Sequence, residues 1–287
     1  MRNRWKCLAF IYFIFTLQTA VTSIEPVAPE MIVIPAGDFI YGTNEETRRQ
    51  MFVPLSEPAQ QTVYCPTFAI GKYEVTEMEF ERFVLDAGYE TDRYWSEEGL
   101  SYRRRYRIHK KKFLAQTERK DFENKSRAPV CGASWYEAEA YCAWLSEKTG
   151  RLYRLPTDME WEKAARGTDG RLWPWGNEWN PSFCNWMDRE DHGAESFGGL
   201  DGNAGAAPVG SYPQGASPFG CMDMAGNVQE WCSDWFDLKN PVHKILRGGS
   251  FYTSNPRNLR CARRRGLFPE LAFVDRLEMG FRLASDE

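Results

Sequence analysis

The residues with the clearest chemical potential lie toward the C-terminal end. Asp223-Met-Ala-Gly226-Asn-Val-Gln-Glu230 sets two carboxylates seven residues apart with a glycine between them. A loop of that shape can converge oxygen atoms, and hard oxygen ligands suit Ca²⁺. Taken alone, the same pattern reads more readily as a turn followed by a helix cap. Tyr102 to Lys112 (YRRRYRIHKKK) is a basic run with interleaved aromatics. It has the composition of an anion- or partner-binding arm, but a solvated insertion is the simpler expectation. His109, His192 and His243 are the three histidines, widely scattered, and no two cysteines form a CxxC, so no zinc site is expected.

The chain that must position these groups has 287 residues, enough for one large domain or two small ones. Hydrophobic residues at 43% and aromatics at 15% supply a sizeable core, and 26% charged residues speak against disorder. Eleven Trp and 23 Gly point to a loop-rich fold built on aromatic packing. Residues 1–23 read as an export signal. Arg2, Arg4 and Lys6 precede the apolar run Cys7 to Leu17, and the small and polar residues up to Ser23 suit cleavage after it. The run is shorter than the ~20 residues that a membrane span needs, which disfavours an uncleaved anchor. The expectation is an exported protein, periplasmic or secreted, with one domain over 24–287 and no later span. Losing the three basic residues takes the formal net charge from −4 to −7, a poor balance for binding nucleic acid or anionic membrane. Cysteines 65, 131, 142, 184, 221, 232 and 261 then remain, and an odd number leaves at least one thiol unpaired.

Local signals place three helices. Thr76 with Glu79, Ser134 with Glu137 and Thr157 with Glu160 each form a capping box, in which two side chains satisfy each other's free backbone N–H. Phe80, Phe83, Val84 and Ala87 follow the first at helical spacing, and Gly88 is predicted to end it in a left-handed conformation. Ala138, Tyr141, Cys142 and Leu145 follow the second, closed by Gly150; Trp161, Ala164 and Ala165 follow the third, closed by Gly167. Met31 to Thr43 reads as strand, turn and strand, and Phe68 to Val75 as a further strand. From Arg171 to Gly249 turn residues dominate, yet the tryptophans say that the segment is packed. Ordered coil of that length needs fixing by metal ions or by side chains bonded to backbone.

From about Met31 to Ala284 the chain resembles the formylglycine-generating (sulfatase-modifying factor) family. The resemblance rests on MIVIPAGDFIYGT, FAIGKYEVTEMEFERFV, APVCGASWYEAEAYCAWL, RLPTDMEWEKAARG, WPWGNEW, APVGSYP, FGCMDMAGNVQEWCSDW, LRGGSF and GFRLA, in that order. It implies an α+β fold related to C-type lectins, with short helices, small sheets and much ordered coil. It also implies two structural calcium sites. One takes Asp223 and Glu230 side chains with the carbonyls of Gly226 and Val228; the other takes Asn185 and Asp201 side chains with the carbonyls of Trp186 and Asn203.

Active members of the family oxidise a cysteine to formylglycine, and the aerobic ones use copper held by two thiolates, the soft ligands that Cu(I) requires. Those thiolates follow GGS. Here Gly248 to Cys261 is two residues shorter than the enzyme pattern; the first catalytic position falls on Thr253 and the second in the gap or on Asn255 or Pro256. Copper is therefore not expected. The resemblance also implies structural disulfides from Cys261 and Cys142, but their partner positions hold Ala165 and Leu283.

The resemblance leaves three readings. The first is a catalytically silent binding protein whose segment 247–283 presents a cleft to a peptide, a glycan, a small molecule or a protein partner. Phe251, Tyr252, Thr253, Arg257, Arg260, Arg263 and Arg264 would line it, since aromatics and guanidiniums are common anchors; structural pairing with carboxylates is the competing role for the arginines. The second is another oxidative maturation enzyme of the siderophore-chromophore type, with Glu270 or Tyr252 as acid or base. The third is a regulatory paralogue that binds sulfatases or their modifying enzyme. Fold alone cannot choose among them.

Overall fold

The computed structural model describes residues 28–54, 56–108, 126–187, 205–271 and 278–287. The signal segment, the end of the basic run from residue 109 on and residues 188–204 lie outside the described residues. Among the described residues no helix is long and apolar enough to cross a membrane.

The architecture is α+β with three small sheets and short helices. β1 (Met31–Ile34) pairs antiparallel with β4 (Phe68–Gly71), and β9 (Ala284–Asp286) pairs with the other edge of β4. β4 is buried along its whole length because both edges are covered. β2 (Gly37–Tyr41) pairs with β3 (Gln61–Cys65), so the two strands read from Met31 to Thr43 enter different sheets. A four-stranded sheet orders β7 (Arg264–Leu267), β6 (Lys244–Arg247), β5 (Gln229–Trp235) and β8 (Met279–Gly280), with β8 parallel to β5. The strand expected to reach Val75 stops at Gly71. Beyond it the backbone turns to other segments, with Val75 N–H donating to the Phe281 carbonyl.

All three capping boxes form. They begin α2 (Glu77–Leu85), α4 (Trp135–Thr149) and α5 (Asp158–Arg166), which follow α1 (Glu45–Met51) and bracket α3 (Glu97–Arg105). In α4 the Glu137 carboxylate accepts from Ser134 N–H at 2.9 Å while Ser134 Oγ accepts from Glu137 N–H at 3.2 Å. Gly150 closes α4 with φ of 73°. Gly88 does not take the left-handed role. Ala87 does, at φ 58°, and Gly88 is glycine because a Cβ there would come within 2.2 Å of the Phe83 ring. Phe80 and Phe83 of α2 pack on Tyr141 and Trp144 of α4, with Phe80 stacked on Tyr141 at 5.6 Å between centroids. Rings of this size carry much of the apolar burial that stabilises the core. Tyr102, inside the basic run, is part of that core, and Arg103 donates to the Tyr89 carbonyl. The coil from Arg171 is packed as its tryptophans predicted: Trp173, Trp175, Trp179 and Trp186 form one contiguous ring cluster.

α5 departs from an ordinary amphipathic helix, because its charged residues are buried along with its apolar ones. Lys163 Nζ donates to the carbonyls of Pro35 (2.6 Å) and Gly37 (3.1 Å). Arg166 Nη1 donates to Glu162 at 2.6 Å and to the Gly42 carbonyl at 2.9 Å. Arg247 of β6 donates to Asp158 Oδ1 at 2.5 Å and to Glu162 Oε2 at 3.0 Å, and Arg264 of β7 donates to Asp158 Oδ2 at 2.7 Å. Burial alone would raise the Asp158 carboxyl pKa, but Arg247 and Arg264 outweigh it and hold the group below its ordinary value.

Asp158→Asn keeps the shape and removes the charge, leaving Arg247 and Arg264 short of a counter-ion. Breaking one side of a buried pair costs about 3–5 kcal/mol, so urea unfolding at neutral pH should show a loss of that order. Because the folded pKa is depressed, the stabilisation is present above the unfolded pKa of about 3.9 and is lost as pH falls through the lower folded value. The gap between wild type and variant should therefore narrow at acid pH. A gap that is constant with pH would mean that the carboxylate charge is not what matters.

Candidate functional site

A cleft of about 420 Å³ opens beside the C-terminal sheet. Its walls come from Gln229 of β5, Leu246 and Arg247 of β6, the turn after β6, and Arg263 with Arg264 and Arg265 of β7. The turn is forced by Gly248 (φ 83°) and Gly249 (φ 70°), two left-handed residues in succession that suit glycine. A Cβ on Gly249 would also lie 2.6 Å from Leu259. The chain leaving this turn is pinned by its own side chains. Ser250 N–H donates to Thr253 Oγ1 at 3.0 Å, and Tyr252 N–H donates to Ser250 Oγ at 3.2 Å. Ser250 Oγ in turn donates to Glu278 Oε2 at 2.6 Å.

Four of the residues proposed for a ligand cleft line it: Tyr252, Thr253, Arg263 and Arg264. Phe251, Arg257 and Arg260 do not. Phe251 packs on Tyr252 with ring centroids 4.5 Å apart, and Arg257 lies over the ring of Phe52. Arg260 is buried and donates to both oxygens of Glu57, at 2.9 and 3.1 Å, so its role is structural. Glu270 is not a lining residue either; among the described residues the carboxylate in the cleft is Glu278, beside Arg265 and Gln229. Sequence spacing offered no signal for Glu278 or Arg265, because their meeting depends on β8 crossing back beside β5.

Thr253 stands where the resemblance puts the first thiolate, and its oxygen is the acceptor that closes the turn. No described cysteine lines the cleft. Cys65, Cys142, Cys221, Cys232 and Cys261 are free and buried. Burial pushes the Cys261 thiol up to about 12 and the Cys221 thiol up to about 11, which keeps both protonated at neutral pH and unfit as thiolate ligands. Cys261 and Ala165 share one core cluster, Cys142 and Leu283 another. Each position that would complete a family disulfide thus carries an apolar side chain in the core.

The Asp223–Glu230 loop is a second centre. Asp223 (φ 57°), Gly226 (φ 83°) and Asn227 (φ 56°) are all left-handed. A Cβ on Gly226 would lie 2.2 Å from the Asn185 carbonyl oxygen, so two coil segments touch backbone to backbone there. Asn185 Nδ2 donates to Asn227 Oδ1 and to the Gly205 carbonyl, and Trp186 Nε1 donates to Pro181. Asp201 and Asn203 lie outside the described residues. Asp223 Oδ2 accepts from Gly210 N–H at 2.6 Å. Glu230 is fully engaged: Arg282 donates to both of its oxygens, at 2.5 and 2.6 Å, and Trp161 Nε1 donates at 2.8 Å. Val228 is buried.

Glu74, for which sequence spacing offers no signal, completes this centre. It accepts from Asn227 Nδ2 at 3.2 Å through Oε1, while Oε2 is buried without a partner. Burial raises its pKa well above the ordinary value, and Asp223 and Glu230 raise it further. Burial likewise lifts Asp223 to about 6 against the pull of Gly210 N–H and Arg282. Among the described residues no three His, Cys, Asp or Glu side chains are grouped to hold a metal by themselves. A cation here would draw on Asp223, Glu74 and main-chain carbonyls, and the unsatisfied Glu74 oxygen is the observation that fits one.

A family model described as the sulfatase-modifying factor enzyme 1-like domain matches residues 18–287. The chain is 32% identical to the formylglycine-generating enzyme of Mus musculus, over 90% of this chain and 75% of that protein. It is 30% identical to the inactive C-alpha-formylglycine-generating enzyme 2 of Bos taurus, over 89% and 87%. Its fold is similar to that of PvdO from Pseudomonas aeruginosa, with a TM-score of 0.66, 25% identity, and 90% of this chain and 95% of that one covered.

The buried thiols make a direct prediction. A thiol reagent such as DTNB should leave Cys65, Cys142, Cys221, Cys232 and Cys261 untouched in the folded protein. After denaturation without reductant it should titrate at least those five. Fewer than five would mean that some of these thiols are paired in disulfides and not free.

Proposed function

The chain belongs to the sulfatase-modifying factor family, and from that premise we propose that it is a member that makes no formylglycine and instead binds a ligand or partner through segment 247–283. The observation that carries this reading is Thr253. A hydroxyl that accepts the Ser250 N–H replaces the first thiolate, and the cleft around it is lined by arginines, Tyr252 and Glu278 without a cysteine among the described residues. A hydroxyl and an amide cannot take the place of two soft sulfur ligands for Cu(I). The similarity to a relative named as an inactive formylglycine-generating enzyme agrees with this reading. The occupant is a peptide, a glycan, a small molecule or a protein partner. The acidic balance of the chain argues against nucleic acid. Export after cleavage at Ser23 completes the proposal.

One observation favours a second reading, an oxidative maturation enzyme on the same scaffold. Ser250 and Glu278 form a short hydroxyl–carboxylate hydrogen bond at the edge of the cleft, a pairing that can hold or move a proton. Calcium belongs to either reading as a structural ion. Asp223 with the carbonyls of Gly226 and Val228 is its expected seat and Glu74 adds a fitting oxygen, whereas Glu230, expected as a ligand, has both oxygens taken by Arg282 and Trp161. Asn185, Trp186, Asp201 and Asn203 form the second expected set.

The mature protein, incubated with copper, oxygen and a peptide carrying a sulfatase motif, should leave the peptide's cysteine intact by mass spectrometry. Conversion of that cysteine to an aldehyde, persisting in Cys261→Ser, would defeat the non-catalytic reading. For calcium, EDTA should lower the thermal midpoint and added Ca²⁺, but not equimolar Mg²⁺, should restore it. A midpoint indifferent to both would remove calcium from the account.

A further inference from the structure

The basic run that begins at Tyr102 has work for only one of its described arginines. Arg103 pairs with Asp92 and donates to the Tyr89 carbonyl. Arg104 and Arg105 at the end of α3, and Arg107 in the turn after it, are exposed, as is Tyr106 between them. Among the described residues no carboxylate pairs with these three; Arg105 lies over the Tyr106 ring, 5.7 Å from its centroid. A helix C-terminus carries about half a negative charge, so one basic residue satisfies it and three overfill it. The chain that follows adds to the excess: residues 109–125 hold six basic residues against three acidic ones. From residue 99 to 117 there is no Asp or Glu, in a chain whose net charge is −4.

The patch is also held in place. Tyr102 before it and Ile108 after it are both buried in the main core. Tyr106 N–H donates to the Tyr102 carbonyl and Ile108 N–H to the Arg103 carbonyl, each at 3.0 Å. Arg107 takes a left-handed conformation, φ 51°, inside this closure. Backbone anchored on both sides loses little freedom when a partner binds.

We propose that Arg104, Arg105, Tyr106 and Arg107 form a second interaction surface, apart from the cleft, that docks an acidic polysaccharide. None of the four lines the cleft, so the inference stands whether or not the cleft binds a ligand. Guanidinium forks match the sulfate or carboxylate groups that such a polymer repeats along its length, through charge-assisted hydrogen bonds. Tyr106, 45% exposed, offers an amphipathic ring against which the apolar face of a sugar packs. The export reading of residues 1–23 selects this partner, because acidic polysaccharides are the extended polyanions of cell surfaces and their surroundings. The acidic balance of the whole chain repels a nucleic acid or an anionic membrane, whose charge extends well beyond four residues.

The test titrates the full mature chain into fluorescently labelled dextran sulfate, polygalacturonate and neutral dextran, reading anisotropy over a series of NaCl concentrations. At least one charged polysaccharide should bind, with an affinity that falls as salt rises, and neutral dextran should not. The tighter of the two identifies sulfate or carboxylate as the preferred group. Hydrogen-exchange protection of the unaltered chain should centre on residues 102–108. Combining Arg104→Gln, Arg105→Gln and Arg107→Asn, where Asn suits the left-handed position, should weaken binding at least tenfold. A control combining Arg49→Gln, Arg151→Gln and Arg257→Gln, at exposed positions elsewhere, removes the same charge and should leave binding within twofold. Tyr106→Ala should weaken it several-fold without altering its salt dependence. Equal loss in the two triple variants, or no binding of either charged polysaccharide, overturns the surface. Tighter binding of single-stranded DNA or of phosphatidylglycerol vesicles at the same salt, or an unchanged affinity in Tyr106→Ala, overturns the choice of partner.

Discussion

The grip of Asp158 on Arg247 and Arg264 is the interaction on which the functional half of this protein depends. It joins the first turn of α5 to two neighbouring strands of the C-terminal sheet, with Glu162 one turn further along taking the other side of Arg247. Burial works against the Arg247 charge, but Asp158 and Glu162 outweigh it and keep the guanidinium ionised. Such a network is demanding in a low-dielectric interior, because every member must be satisfied or its desolvation is lost outright. The return is geometric. With Arg247 fixed, β6 and β7 keep their register, and the arginines that follow Cys261 face the cleft.

The same device holds the irregular coil. Arg282 ties Glu230 to the carbonyls of Gly71, Lys72 and Met222, and Arg166 gathers the carbonyls of Gly42, Gly170 and Arg171. Long cationic side chains thus satisfy backbone acceptors that no strand or helix reaches. At the loop from Asp223 to Glu230 this scheme runs short by one oxygen, that of Glu74. In the cleft the Thr253 side chain closes a turn by the same means, its oxygen accepting from Ser250 N–H.

Much of the fold was legible in the sequence because its signals are local. A capping box is complete within four residues, and all three form where Thr76, Ser134 and Thr157 announce them. The ordered list of family motifs carried the rest of the architecture. Illegible were the contacts that join distant segments. Asp158 and Arg247 are 89 residues apart, Glu57 and Arg260 are 203 apart, and nothing in periodicity links either pair. Hence Arg260 was expected in the cleft and proves to be buried, while Glu278 and Arg265 entered it unannounced. Gly88 shows the limit of a local rule: its lack of a side chain answers to the Phe83 ring and not to a helix cap.

The central claim is that the family scaffold persists here without a thiolate pair for copper. The most direct measurement is X-ray absorption at the copper edge on the folded, mature protein offered one equivalent of Cu(I). The account predicts either no retained copper or a coordination shell of nitrogen and oxygen. A retained copper with two sulfur ligands would contradict it.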